Sequence, residues 1–283
     1  MKTLAQAMED ALEQKIALGH FNISDSTQLR AIARAAKDLN VPVIIGISEG
    51  ESDFLGIHNA VALVRATAQE EGVEMYINAD HMHTVENCKA AIDAGFDSVI
   101  FDGSRESMED NIRGTREVVA YAQGKQVIVE AEVGYIGTSS KMLDEIPEDV
   151  SGVLPTVEEV RNFVERTGVH AVAPAVGNLH GMLTGRANPA LDVGLIRNIR
   201  ESIGDIGMVL HGGSGLTDED FTQAINAGMN VVHINTEIRV AYRKGIEKGL
   251  EHKEEIAPYR YLHHGQDAVY EVVKKRLELF GNV

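Results

Sequence analysis

Met208-Val-Leu-His-Gly-Gly-Ser-Gly215 is a short apolar run that stops at a histidine and a pair of glycines. An apolar run of that length bounded by glycine reads as a buried strand, with His211 at its C-terminal end and Gly212, Gly213 and Ser214 in the turn above it. Glycine lets bare backbone N–H groups converge on an anion, and an imidazole beside them can hold a metal or move a proton. Taken alone, the stretch reads equally well as a strand-ending turn over a hydrogen-bonded histidine. The same punctuation recurs along the chain, and that recurrence decides the fold.

Working outward, the stretch is preceded by a helical pattern over 190–203. It is followed by a helix over 217–227, the strand Asn230–Ile234 and a helix over 236–249. Towards the N-terminus, strands are expected at 20–24, 41–47, 73–78, 97–101, 126–132 and 169–173. Helical spacing fills 4–12, 25–39, 58–71, 84–94, 106–123 and 157–167. Eight strands, each followed by a helix, with mostly continuous apolar character, imply buried parallel sheet. Its closed solution is the (β/α)8 TIM barrel; a doubly wound open sheet is the alternative. One domain over 1–283 suffices, with a lid-like loop near 134–155 that holds Gly134, Gly137, Gly152 and Pro155.

Composition narrows the partners. A formal net charge of −17 argues against a nucleic-acid partner, because no basic patch is dense enough to neutralise a phosphate backbone. Cys88 is the single cysteine, so an internal disulfide is excluded and a reducing, cytoplasmic compartment is expected, with the thiol packed in a helix rather than nucleophilic. The first ten residues carry acids and no long apolar block, so neither a signal peptide nor a membrane span is expected.

In a barrel of this kind the chemistry sits at the C-terminal ends of the strands. Those ends carry Asn22, Ser48, Asp80 with His81, Asp102, Glu130 with Glu132, His180, His211, and His233 with Asn235. Each has a structural alternative; Asp80 could cap helix 84–94 and His180 could be a satisfied loop histidine. Gathered at one mouth, imidazoles and carboxylates would be costly to bury unless a divalent cation compensated them.

At these residues the chain resembles the class II, metal-dependent fructose-bisphosphate and tagatose-bisphosphate aldolases, from its first helix to its last. The carriers are Phe21-Asn22, Asn78-Ala-Asp80-His81, Phe101-Asp-Gly-Ser104, Val129-Glu-Ala-Glu-Val-Gly134, Gly177-Asn-Leu-His-Gly181 and His211-Gly-Gly-Ser-Gly215. The resemblance implies His81, His180 and His211 as zinc ligands, with Asp102 and Glu132 near the metal. Another divalent ion could serve in zinc's place, and a monovalent cation is a further candidate. It implies Asp80 as the acid–base group at the aldehyde-derived oxygen. Gly212, Ser214 and Thr236 resemble a phosphate cradle, with Gly213 and Gly181 beside it, and Asn22 and Ser48 resemble pocket residues. The implied reaction is cleavage of a phosphorylated ketose, by default fructose bisphosphate, to dihydroxyacetone phosphate and an aldehyde through a zinc-stabilised enediolate. The substrate would be a small phosphorylated sugar and the protein a homodimer or homotetramer.

Departures from the family pattern are equally legible. In the loop Gly137-Thr-Ser-Ser-Lys-Met-Leu-Asp-Glu145, Ser140 occupies the place of the mobile proton-abstracting glutamate, leaving Asp144 and Glu145 as the nearest candidates. After the eighth strand stands His233-Ile-Asn-Thr236; period-two geometry puts His233 and Asn235 on one face, both in reach of substrate. Tyr259 replaces the arginine that some members use for a second phosphate, with Arg260 beside it. His83 reads as a helix-entry residue, and His263 with His264 as surface or subunit-contact residues. Two rival classes remain: a metal-dependent hydrolase, which the histidines and carboxylates would also permit, and a non-catalytic barrel that keeps its metal and phosphate sites.

Overall fold

The computed structural model describes residues 2–150 and 153–281, so Gly152 lies outside the described residues. The apolar segments become β1 (Leu18–Asn22), β2 (Val43–Ser48), β3 (Met75–Met82), β4 (Ser98–Phe101) and β5 (Ile128–Val133). The short β6 (Met142–Leu143) is followed by β7 (Ala171–Pro174), the short β8 (Met182–Leu183), β9 (Gly207–Leu210) and β10 (Val231–Ile234). All but β6 and β8 form one closed barrel in the order β1-β10-β9-β7-β5-β4-β3-β2. Every pairing in it is parallel, and β1 closes on β10 with His20 opposite His233. The expected (β/α)8 barrel is therefore the observed fold, and the open-sheet alternative is set aside.

Period-two alternation sorts the strand residues into two cores. The first inward residues, among them Leu18, Ile44, Tyr76, Ala171, Val209 and Val231, pack with Leu4, Ala7, Met8 and Ala11 of helix α1 (Leu4–Gln14). These residues stand at the strands' N-terminal ends, so α1 plugs the bottom of the barrel. Burying Leu4 and Met8 there is worth roughly 3–6 kcal/mol. The plug is also tied by polar contacts, since the Asn230 side chain donates to the Met8 carbonyl and accepts from the Met208 N–H. Outward residues such as Phe21, Ile45, Ile77 and Val129 meet the surrounding helices in a larger core.

Those helices are α2 (Ser26–Leu39), α3 (Glu49–Leu55), α4 (Ile57–Glu71), α5 (Val85–Ala94), α6 (Met108–Ala122) and α7 (Val157–Thr167). They continue with α8 (Val193–Ile203), α9 (Asp218–Ala227), α10 (Thr236–Leu250) and α11 (Pro258–Gly281). Thr84, not Asp80, caps α5, which leaves the Asp80 carboxylate free for the barrel mouth. The helix expected from residue 190 starts at Val193, because Asp192 accepts the Leu195 N–H and fixes the first turn there. Helix α3 was not expected; it begins directly at the end of β2 because Ser48 and Glu51 form a capping box. The long α11 lies against α10 where Gly245 removes a side chain: a Cβ there would stand 2.4 Å from the His264 carbonyl oxygen.

Within the expected loop, residues 134–150 are more ordered than a plain loop. Its β6 pairs in parallel with β8, just past His180, with the Met182 N–H on the Lys141 carbonyl and the Thr184 N–H on the Leu143 carbonyl. This pairing lays the segment across the C-terminal mouth.

Candidate active site

Each side chain of the site is placed by a local feature. In β3 the register shifts between Ala79 and Met82, and His81 takes the left-handed conformation at φ 53°. Strict alternation would send Asp80 and His81 to opposite faces, whereas the break lets both reach the mouth. In β5, Glu130 and Glu132 keep alternation and rise one above the other along the barrel axis. At the end of β9, the chain turns beneath the Leu179 carbonyl at Gly212 (φ 61°), where a Cβ would stand 2.5 Å from that oxygen. Asn178 donates its amide to the His211 carbonyl and so ties this turn to the segment carrying His180.

The result is a knot of buried groups around one oxygen. Glu132 Oε1 lies 2.5 Å from His211 Nδ1, 3.4 Å from His81 Nδ1 and 3.9 Å from His180 Nε2. One ligand atom each from His81, Glu132, His180 and His211 lies within 4.8 Å of all the others. Behind them, Glu130 Oε1 is 2.6 Å from His211 Nε2, and Asp102 Oδ2 is 3.0 Å from His81 Nδ1. Asp102 is itself fixed by the N–H and hydroxyl of Ser104.

Electrostatics follow from this packing. Burial pushes Glu132 up, but the imidazoles of His81, His180 and His211 outweigh it and hold the carboxyl well below its usual range. Burial pushes His81 down, while Asp80, Glu132 and Asp102 reverse the sign and bring it to about 9. His211 is likewise raised well above the ordinary imidazole value, against its burial, by Glu130 and Glu132. His180 and His233 go the other way: burial lowers both, and neighbouring imidazoles lower them further. The buried carboxylates thus favour positive charge on His81 and His211, the charge that a bound divalent cation would supply in place of those protons.

A divalent cation fits that demand. The donors are three imidazoles and a carboxylate, a borderline set suited to zinc and its neighbours. His180 Nε2 is buried and has no hydrogen-bond partner, although it faces the group. An orphaned imidazole nitrogen costs free energy unless something binds it, and a metal would.

Above the knot opens a cleft of about 420 Å³. It is lined by Asn22, Ser48, Asp80, His81, Asp102, His180, Gly181, Gly212, Ser214, His233, Asn235 and Thr236 among the residues expected from the sequence. His211 and Glu132 lie directly beneath, and Gly213 packs behind, its N–H donating to the His233 carbonyl. Asp80 is held by one oxygen: Asn22 donates to Oδ2 at 2.8 Å, while Oδ1 is buried without a hydrogen-bond partner. Burial pushes Asp80 up, but His81, His20 and His211, with the Asn22 amide, outweigh it and keep the carboxyl low. The Ser214 hydroxyl accepts the N–H groups of Asn235 and Glu237, which locks the glycine turn against the start of α10. Glu237 accepts the Gly215 N–H and is itself gripped by buried Arg276 from α11.

Three expected residues are not brought to the cleft. Asp144 and Glu145 are exposed and follow directly after β6, whose pairing with β8 brings Thr138, Ser140 and Lys141 to the cleft instead. Arg260 is exposed on α11, pairs with Glu255 and lines a separate depression with His252 and His264; Tyr259 beside it is exposed as well. Conversely, Arg239 and Lys141 line the cleft without having been expected there, and Glu51 and His20 are buried behind its lining. Arg239 stands one helical turn after Thr236, and Glu51 stands at capping-box spacing from Ser48, so both carried a usable signal. His20 lies two residues before Asn22, on the same face of β1, and stacks on His233 with ring centroids 3.5 Å apart.

A parallel β/α barrel with imidazoles and carboxylates gathered over its C-terminal mouth, beside a glycine turn at a helix N-terminus, defines the broad class: a barrel built for metal-assisted chemistry on an anionic ligand. The family model for class-II fructose-bisphosphate aldolase matches residues 2–283. The chain belongs to this family of carbon–carbon lyases. It is 35% identical over 284 residues to the fructose-bisphosphate aldolase of Geobacillus stearothermophilus, covering 99% of this chain and 96% of that protein. The fructose-bisphosphate aldolase of Staphylococcus aureus (strain Mu50 / ATCC 700699) matches with the same identity and coverage. Among solved structures, the YdjI aldolase from Escherichia coli K12 superposes with a TM-score of 0.83 at 26% identity, covering 99% of this chain and 97% of that one.

Proposed function

We propose that this protein is a metal-dependent aldolase that cleaves a phosphorylated ketose to dihydroxyacetone phosphate and an aldehyde. Fructose bisphosphate, named for the relatives, serves as the reference substrate. The observation that carries the reading is the Asp80 carboxylate, with one oxygen held by Asn22 and the other free, 3.7 Å from the His81 ring that belongs to the metal-type donor group.

His81, His180 and His211 would hold the ion, zinc by the nature of the donors, with Asp102 and Glu132 beside it. When bound it would supply Lewis-acid polarisation of the ketone. The remaining steps fall to the chain. Asp80, kept as a carboxylate by its neighbours, takes the proton from the hydroxyl that becomes the aldehyde and returns it in the condensation direction. Gly212 and Ser214, with Thr236 at the start of α10 and with Gly213 packed behind the turn, hold the ketose-side phosphate on backbone N–H groups, which lets an acidic protein bind an anion without a large positive field. Asn22, Ser48, Gly181, His233 and Asn235 orient the sugar hydroxyls. Segment 134–155 acts as a lid on a single-domain barrel of residues 1–283. When it folds further over, Asp144 or Glu145 exchanges the carbon-bound proton of dihydroxyacetone phosphate. The same reading carries a homodimer or homotetramer in the cytoplasm; the one cysteine, Cys88, is free and buried, as suits a reducing compartment.

Retro-aldol turnover on fructose bisphosphate, tagatose bisphosphate and unphosphorylated ketoses, with and without chelator, tests the proposal. Chelator-sensitive cleavage of a phosphorylated ketose is the expected result. Absence of cleavage across the panel refutes it.

A further inference from the structure

His20 is a buried polar ring inside the barrel that does not itself line the cleft. Its register partner on β10 is His233, which does line it, and their rings stack with centroids 3.5 Å apart and planes 3° from parallel. His233 also stacks on His211 at 4.2 Å and 25°. One face of an imidazole has room for one stacked ring, so His233 is sandwiched between the other two. Both outer rings are held. Glu130 and Glu132 grip the two nitrogens of His211. His20 Nε2 lies 3.1 Å from Asn78 Oδ1, and the Asn78 amide donates in turn to Ser98 Oγ at 2.7 Å. An amide oxygen only accepts, so His20 Nε2 is the donor; burial lowers this imidazole to about 4 and keeps it neutral. Gly46 makes room for the ring, since a Cβ there would stand 2.2 Å from His20 Cε1.

The other nitrogen of His20, Nδ1, is buried and has no hydrogen-bond partner among the described residues. Such a ring is a poor space-filler, because an apolar side chain would leave no polar atom unpaired. What an aliphatic residue lacks is a flat face in a fixed plane. The χ2 torsion of histidine is broad and does not set the plane of His233 by itself, so packing must. The plane matters because His233 Nδ1 stands 3.6 Å from Asp80 Oδ1, the oxygen left without a partner. That is too long for a hydrogen bond, and a movement of roughly half an ångström would make one. We propose that His20 is a positioning residue: with Asn78 and Gly46 it clamps the His233 ring and holds it off Asp80, so that this carboxylate keeps one oxygen free for the substrate hydroxyl. The role rests on the aldolase reading above and adds to it a residue outside the cleft. Without the clamp, the His233 N–H caps Oδ1 while Asn22 holds Oδ2, and a carboxylate bonded at both oxygens is a weaker base. Exchange of the carbon-bound proton of dihydroxyacetone phosphate, assigned above to the lid carboxylates, does not pass through Asp80.

The test is His20→Gln in the full-length, zinc-loaded protein; glutamine keeps a donor for Asn78 but has no ring face. On the ketose that wild type cleaves best in the panel above, kcat should fall about tenfold to a hundredfold while KM changes by less than about twofold. Solvent exchange of the carbon-bound proton of dihydroxyacetone phosphate should stay within about twofold of wild type, with bound zinc undiminished. His233→Ala removes the ring that can tilt, so adding His20→Gln to it should lower kcat further by less than about twofold. His20→Asn supplies the same readouts if His20→Gln fails to fold. Unchanged kcat, an equal fall in cleavage and exchange, loss of zinc, or an undiminished effect of His20→Gln in the His233→Ala background overturns the proposal and leaves the aldolase reading standing. A wild type that cleaves no ketose refutes that reading and the role of His20 with it.

Discussion

Asn188 is a buried amide outside the cleft whose removal should damage the site through its supports. Its Oδ1 accepts the Leu183 N–H at 3.0 Å, and its Nδ2 donates to the Gly181 carbonyl at 2.8 Å and to the Ser214 carbonyl at 3.0 Å. It thus ties the segment just after His180 to the turn just after His211, and it fills the space where a Cβ on Gly215 would stand 2.9 Å away. Asn188→Ala leaves one donor and two acceptors buried without that partner. At about 1 kcal/mol apiece the loss is about 3 kcal/mol, since no second partner takes them up. For a chain of this size that lowers Tm by roughly 6–10 °C. Because the two ligand-bearing segments lose their brace, metal affinity should fall by about tenfold or more, the usual effect of losing a group that orients ligands. Asn188→Asp should be worse than alanine, because a buried charge would face two carbonyl oxygens. Thermal and urea unfolding, with metal titration by competition against a chelating dye, provide the readouts. A loss under about 0.5 kcal/mol with unchanged metal affinity would refute the brace.

Other consequences can be checked alongside. His211→Ala should purify with reduced metal content as well as reduced turnover, and full occupancy measured by elemental analysis would remove His211 from the ligand set. Asp80→Asn should retain metal while turnover drops by roughly two to four orders of magnitude, the range for an acid–base group; undiminished cleavage rejects that role. Solvent exchange of the carbon-bound proton of dihydroxyacetone phosphate should slow in Asp144→Ala or Glu145→Ala, and wild-type exchange in the double variant would end the lid-base assignment. Burial pushes the His20 imidazole down to about 4. The unfolded chain, titrating near about 6.5, binds more protons between those values, so about 3 kcal/mol of stability present above about pH 6.5 is lost as pH falls toward 4. Melting curves of wild type and His20→Asn across that window should diverge, and parallel pH dependence would exclude His20 as the cause.

The barrel was legible because its causes are local. Continuous apolar segments at 43–47 or 207–210 bury on both faces whatever follows, and capping residues such as Asp25, Thr84, Ser107 and Thr156 mark helix starts by direct contact with their own backbone. The polar strand ends were legible for the same reason: in a barrel the position along a strand fixes the height, so His81, His211 and His233 had to reach one mouth. Less visible were the places where a local device broke the rule. The left-handed His81 turned two successive residues to one side, and the Ser48–Glu51 box grew a helix where only a strand end was expected.

Sequence by itself determined the strand and helix alternation, the faces and the heights of the candidate residues. Only the tertiary structure decided who meets whom. Closure of β1 on β10 brings Arg239 to Glu51 across 188 residues, and the stacking of strands sets His211 between Glu130 and Glu132 across 81 and 79. Pairing of β6 with β8 carried Ser140 and Lys141 to the cleft and left Asp144 and Glu145 outside it. Periodicity sets which way a side chain points and how high it stands. It is silent on which element faces it across the mouth, because that depends on barrel closure and on hydrogen-bond partners supplied by remote parts of the chain.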